Sequence, residues 1–171
     1  MSTELANYLE RLEDLRGQIS TLVDELPPEA LNWRPIEGSG EDATNSLAAL
    51  AAHSAGAEHF WIAEVVGGRP ATRDRAAEFA TQVASSAEVL QVLESTALET
   101  RGILPTLADT DLGDMRRVAG RTLPVRWCLL HVIDHTSLHL GHMQVTYQLW
   151  AGGRTVQSPL WHERLPHQSE S

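Results

Sequence analysis

The chain has 171 residues, a formal net charge of −10 and one cysteine, and all 13 of its basic residues are arginine. That length reads as one domain able to bury a core without disulfides or a structural metal, and a hydrophobic share of 42% belongs to a globular chain, not a disordered one. So acidic a balance argues against nucleic acid and anionic membrane surfaces as partners, because both are bound by neutralising phosphates, and a lone Cys128 excludes an intrachain disulfide or a thiolate-rich zinc site.

The opening segment repeats apolar residues at helical spacing, from Leu5, Tyr8 and Leu9 through Leu12, Leu15 and Ile19 to Leu22, Val23 and Leu26. That is an amphipathic helix of roughly twenty residues. It is charged on its other face and does not read as a signal peptide. Pro27, Pro28 and Pro35 break the pattern, and "EGSGEDATN" is a polar loop. Asn45 is placed to cap a second helix, "SLAALAAHSAGAEHFWIAEVV", which stops at Gly67-Gly68. "GRPATRDRA" reads as a connection, and a third helix runs from about Ser86 until Pro105 bends or stops it. "ADTDLGDMRRVAGRT" reads as irregular and polar. A fourth helix starts near Pro124, a favourable first-turn residue, and continues to about Trp150. No stretch is long and apolar enough to span a membrane, so the expected location is the cytoplasm. Four long helical patterns and no convincing two-residue alternation predict an all-α four-helix bundle with long inter-helix loops, over residues 1–152, followed by a C-terminal tail, 153–171.

The fourth helix carries the chemistry. "HVIDHTSLHLGHM" holds His131, His135, His139 and His142, half of the eight histidines in the chain. Each helical residue advances about 100° and 1.5 Å, so the last three fall at about 40°, 80° and 20° from His131, all on one face predicted to look inward. A lone inward histidine is more often a satisfied core residue than a ligand, but four on one face each need a hydrogen-bond partner or a metal. The H-x3-H spacing brings two imidazoles to one point, and it occurs twice, at 131/135 and 135/139. The stripe is about 16 Å long, so at most two neighbours can reach one ion. A third ligand must come from elsewhere. His53 and His59 on the second helix are candidates, and spacing does not choose between them; His162 and His167 lie in the tail.

Several stretches resemble the DinB-like (DinB/YfiT-like) superfamily of four-helix metalloproteins. "LNWRPIEGSGEDATNSLAALAAH" is similar to the family's Trp-Arg-Pro loop and its first ligand helix, followed by "HFWI". "RTLPVRWCLLHVIDHTSLHLGHMQ" is similar to the final helix with its His-x3-His-x-Gly-(Gln/His) pattern, and "TYQLW" continues in register. The likeness covers about residues 3 to 152. Carried over position by position, it implies a ligand triad of His53, His135 and His139. His131 becomes a packing or hydrogen-bonding neighbour, His142 stands where Gln is common, and His59 is no ligand. It also implies a divalent metal (zinc or nickel, or else iron or manganese) and a homodimer. The implied activities on a small-molecule substrate are S-transfer or isomerisation with a low-molecular-weight thiol, or metal-assisted hydrolysis. The alternative is a non-catalytic, stress-related bundle that binds a metal or a small molecule.

Three neutral imidazoles leave coordination positions open, as catalytic metal sites do. An ion held by them is expected to leave on acidification through about pH 6, near the ordinary histidine pKa. Around the triad, Glu64 shares the His53 face and is a candidate general base, whereas Glu58 does not; Asp134 is a weaker neighbour. Arg34 and Arg126 are candidate clamps for a substrate carboxylate, with surface or capping roles as the alternative. Trp33, Trp61 and Trp127 line a pocket or pack in the core. Cys128 reads as a small buried hydrophobe. Leu129, Ile133, Leu140 and Tyr147 form a second apolar stripe opposite the histidines, and this stripe is the expected homodimer surface.

Overall fold

The computed structural model describes residues 1–38 and 44–153. The tail with His162 and His167, and the centre of the polar loop before the second helix, lie outside the described residues. Six helices and one hairpin follow in order: α1 (Thr3–Val23), α2 (Pro28–Asn32), α3 (Leu47–Glu58), α4 (Arg75–Ala80), α5 (Ser86–Ile103), β1 (Met115–Val118), β2 (Arg121–Pro124) and α6 (Val125–Trp150). The four long helices make the bundle. α1 packs on α5 and α6, and so does α3, so α3 and α6 are neighbours across the site described below. No described helix is long and apolar enough to cross a membrane.

Local chemistry explains the helix starts. Ser2 Oγ accepts from Leu5 N at 3.3 Å, Ser46 Oγ from Ala49 N at 3.2 Å, and Asp74 Oδ1 from Ala77 N at 3.0 Å. Each answers one of the N–H groups that a helix leaves unpaired at its first turn. The cap of α3 is thus Ser46, one residue beyond Asn45. Pro124 is the extended residue that precedes α6, not its first turn. α3 is rich in alanine and leucine, and Leu47 through Ala51 are all buried. A helix apolar on every side is one that other helices surround.

Three elements differ from the sequence reading. The second helix is not α-helical throughout: beyond Glu58 it widens into a π-helix, His59–Val66, closed by Gly67 N donating to Ile62 O at 2.8 Å. The 68–76 connection leads into α4, which is too short for a periodic signal. Residues 108–122 are ordered, with a 3₁₀ turn at Asp109–Gly113 and the antiparallel pair β1–β2. Ala119 (φ 47) and Gly120 (φ 78) form the two-residue hairpin turn whose twist suits flanking strands.

The core has two lobes. One gathers Leu15, Ile19, Leu22, Leu47, Leu140 and Met143. The other gathers Leu5, Leu12, Ile62, Val125, Cys128 and Leu129. A polar bridge is buried with them. Arg16 on α1 donates to Glu58 on α3, and Thr100 on α5 donates to the same carboxylate oxygen. Burial pushes the Glu58 carboxyl up against the pull of Arg16. Glu58 is therefore a core residue tied to α1 and α5, not a solvated one.

The second apolar stripe of α6 is also inside the chain. Leu129 and Leu140 are buried, and Ile133 and Tyr147 pack against the same lobes. α6 is rotated so that this stripe faces the core and the histidines face sideways toward α3. The apolar side chains left exposed on α6 are others, among them Leu130, Leu138, Val145 and Leu149.

Candidate metal centre

The site is built where α6 passes α3. His53 stands in the second turn of α3 and is buried; His135 and His139, one turn apart on α6, are half-buried. His135 Nε2 lies 3.1 Å from His53 Nε2 and 3.2 Å from His139 Nε2. One ligating nitrogen from each of the three lies within 4.8 Å of the others.

Two features of this cluster fit a cation. The first is spacing: nitrogens bound at about 2.05 Å to a tetrahedral ion stand about 3.3 Å apart, close to the two separations from His135, and all three nitrogens lie within 4.8 Å of one another. The second is proton bookkeeping. The Nδ1 atoms of His135 and His139 are buried without a hydrogen-bond partner among the described residues. A neutral imidazole carries one N–H and one lone pair. With Nδ1 protonated, three Nε2 lone pairs meet at one point, and a positive ion is what such a set can share. Burial first, then the neighbouring imidazoles, pushes His135 down to about 3 and His139 down to about 4. Burial also lowers His53, against the opposing pull of Glu78. The imidazoles are thus neutral at pH 7, as metal ligation requires.

The surroundings sort the other candidate residues. His131 is half-buried and stacks on Trp127, with ring centroids 4.8 Å apart and planes 8° apart, while Trp61 meets it edge-on at 5.1 Å. Its ring lies 5.8 Å from that of His135, so Trp61 and Trp127 form an aromatic wall one turn from the triad. His142 is exposed, its ring 5.5 Å from that of His139.

Three pocket candidates are engaged elsewhere. Glu64 accepts from the backbone N–H groups of Thr72 and Arg73, the latter at 2.9 Å. The wider π-helical winding after Glu58 carries it out of the phase that α-helical spacing gives it beside His53. Arg34 donates to the carbonyls of Thr44 (3.3 Å) and Phe79 (3.0 Å), tying the loop before α3 to α4. Arg126 is exposed and donates to Glu4 at 2.7 Å, on the side of α6 that faces α1. Asp134 is exposed too. His59 bonds Glu99 at 2.6 Å and Thr72 at 2.8 Å, away from the triad.

Sequence reasoning passed over the residues that touch His53 most closely. Glu78, on α4, accepts from His53 Nδ1 at 2.8 Å. Arg73 donates to both oxygens of Glu78, at 2.6 and 2.9 Å. Phe79 packs on the His53 ring, centroids 4.5 Å apart. Burial raises the Glu78 carboxyl, but the hydrogen bonds from Arg73 and His53 outweigh it and hold it below its ordinary value. The available signal was Asp74, a capping residue followed by helix formers, which marks α4 as a helix.

With this geometry in place, the comparisons with known proteins have a clear meaning. The model of the DinB superfamily matches residues 11–143, and the chain belongs to that superfamily. Similar solved structures include a DinB-like protein from Bacillus cereus, with a TM-score of 0.68 at 19% identity over 85% of this chain and 91% of that one. A conserved protein from Enterococcus faecalis gives 0.70 at 16% identity, over 89% and 99%. A DinB-like protein from Bacillus subtilis gives 0.61 at 16% identity, over 94% and 97%. At these identities the likeness shows the shared fold. Among curated proteins, none matches the chain.

Proposed function

We propose that the chain is a divalent-metal-dependent enzyme whose ion is held by His53, His135 and His139 through their Nε2 atoms. The observation that carries this reading is the convergence of three neutral imidazole edges, with Nε2 separations of 3.1 and 3.2 Å. Zinc and nickel suit an all-imidazole set best, and iron or manganese less well. When bound, the ion supplies Lewis-acid chemistry, favouring the ionised form of a thiol or a water. The chain supplies the rest. Glu78 holds the His53 ring, and the Trp61–Trp127–His131 wall offers an apolar surface beside the reacting point. The reaction class we favour is transfer or isomerisation with a low-molecular-weight thiol attacking a small electrophile, with hydrolysis as the second chemistry.

A non-catalytic binding role is the rival. What favours it is that Glu78, the carboxylate bonded to the triad, is occupied by His53 and Arg73 and so is not free as a general base. The test is metal analysis of the purified protein, followed by thiol consumption with a panel of electrophiles and hydrolysis of a panel of esters. The enzyme reading predicts turnover that a chelator abolishes and added metal restores. Bound metal without turnover across both panels supports the rival. We place the homodimer on the outer face of α6, where Leu130, Leu138, Val145 and Leu149 are exposed. Light scattering of Leu138→Glu against wild type checks it, with monomers expected from the variant.

A further inference from the structure

The three histidines are not held alike. His135 and His139 have no partner at Nδ1 among the described residues, whereas His53 has a carboxylate there. That carboxylate is itself fixed on every side. Arg73 grips it with Nε on Oε1 and Nη2 on Oε2, at 2.6 and 2.9 Å. The Arg73 guanidinium stacks over Phe60, 5.6 Å from the ring centre. The segment bearing Arg73 is pinned by Glu64, which takes the N–H groups of Thr72 and Arg73.

The remaining side of the carboxylate lies against α3, three residues after His53. A Cβ at Gly56 would fall 2.0 Å from Glu78 Oε1 and 2.5 Å from its Cδ. Glycine weakens a helix interior, yet α3 keeps one here among alanines. No other residue leaves room for Glu78 in its present position.

We propose that Glu78 is the positioning residue of the metal centre, that Arg73 holds its carboxylate in place, and that Gly56 is glycine so that Glu78 reaches His53 Nδ1. This rests on the metal-centre reading above. An ionised carboxylate accepting from Nδ1–H fixes one tautomer, turns the Nε2 lone pair toward His135 and His139, and raises the basicity of that nitrogen. It makes His53 the oriented ligand to which the two α6 histidines are added.

The experiment measures zinc and cobalt(II) affinity by competition with a chromophoric chelator, together with the visible spectrum of the cobalt form and thermal melting of the metal-free protein. The proteins are wild type, Glu78→Gln, Glu78→Ala, Gly56→Ala and the double Gly56→Ala/Glu78→Ala. Glu78→Ala is expected to weaken binding by about 10- to 100-fold, the range for residues that orient ligands. Glu78→Gln keeps an acceptor and loses less. Gly56→Ala is the sharper variant. It favours the helix but moves Glu78 off Arg73 and His53, so the metal-free protein still melts cooperatively while binding weakens with a changed cobalt spectrum. In the double variant Gly56→Ala adds no further loss to Glu78→Ala. Should one Glu78 variant fail to fold, Gly56→Ala carries the same test. Wild-type affinity in Gly56→Ala and in the folded Glu78 variants overturns this inference alone. A wild-type chain that binds neither metal overturns the metal-centre reading, and this inference with it.

Discussion

Two buried polar groups hang from the same helix, five residues apart, and they end differently. At Glu58 the charge is answered within the chain: Arg16 and Thr100 both donate to the carboxylate, and Arg16 Nη2 stands 2.6 Å from Glu13 Oε1. At His53 one edge is answered by Glu78, and the other faces the Nε2 atom of His135, which faces that of His139 in turn. The first arrangement ties α1, α3 and α5 together through opposite charges, although Arg16 Nε and Nη2 make no hydrogen bond among the described residues. The second gathers three ring nitrogens that could hold a cation. Burial and polarity alone do not separate a structural cluster from a binding site; the balance of donors and acceptors does.

The largest effect expected from this contrast is on stability. Glu58→Ala removes the buried counter-charge of Arg16, leaving it only the more exposed Glu13, and should cost about 3 kcal/mol in chemical denaturation. Its zinc affinity should stay near that of wild type. A loss below about 1 kcal/mol would mean that Glu13 alone holds Arg16, and that the two regions do not differ in how their charges are answered.

His135→Ala should do the reverse. Zinc affinity is expected to fall by more than about 100-fold, beyond the range for residues that merely orient a ligand. The metal-free stability should move by no more than about 1 kcal/mol, because the half-buried ring has no Nδ1 partner among the described residues and gives up only its Nε2 contacts to His53 and His139. Calorimetric titration and denaturant melts check the two halves.

Acid should act on the histidine region and not through Glu58. With His135 near 3 and His139 near 4 in the folded chain, against about 6.5 when unfolded, the unfolded chain binds more protons between about pH 4 and 6.5. Stability of the metal-free protein is therefore flat above about pH 6.5 and falls as pH drops through that window. Glu58, whose folded value is raised, contributes with the opposite sign. Melts across pH 7.5 to 4.5 should slope in wild type and slope less in His135→Leu, where His139 remains; a flat wild-type profile would contradict this. The same depression revises the metal expectation: with His135 and His139 already neutral at pH 5, an ion that they share should persist below pH 6.

The smallest effect belongs to Arg126→Ala. Its pair with Glu4 is exposed and screened by solvent, so the melting temperature and the metal affinity should both stay at their wild-type values. A marked drop in affinity would return Arg126 to the site.

The bundle was legible because its four long helices repeat apolar residues often enough for periodicity to register, and the α6 histidines because H-x3-H is a local pattern. His53 was legible only through family likeness, since a helix as apolar as α3 has no polar face to mark which histidine points inward. α4 and the β-hairpin escaped because each is too short for periodicity. Glu78 and Arg73 went with α4. Glu64 was misplaced because spacing arguments assume an unbroken α-helix, and no residue at Glu58–His59 announces the change of winding. The α6 stripes were paired with the wrong surroundings because a wheel gives angles within a helix but not its rotation in the bundle.

X-ray absorption of the zinc-loaded protein addresses the central claim most directly. The account predicts one ion per chain with three imidazole nitrogens at about 2.0–2.1 Å, and loss of that signature in His135→Ala. A wild-type shell without three imidazoles, or one that persists in His135→Ala, would contradict it.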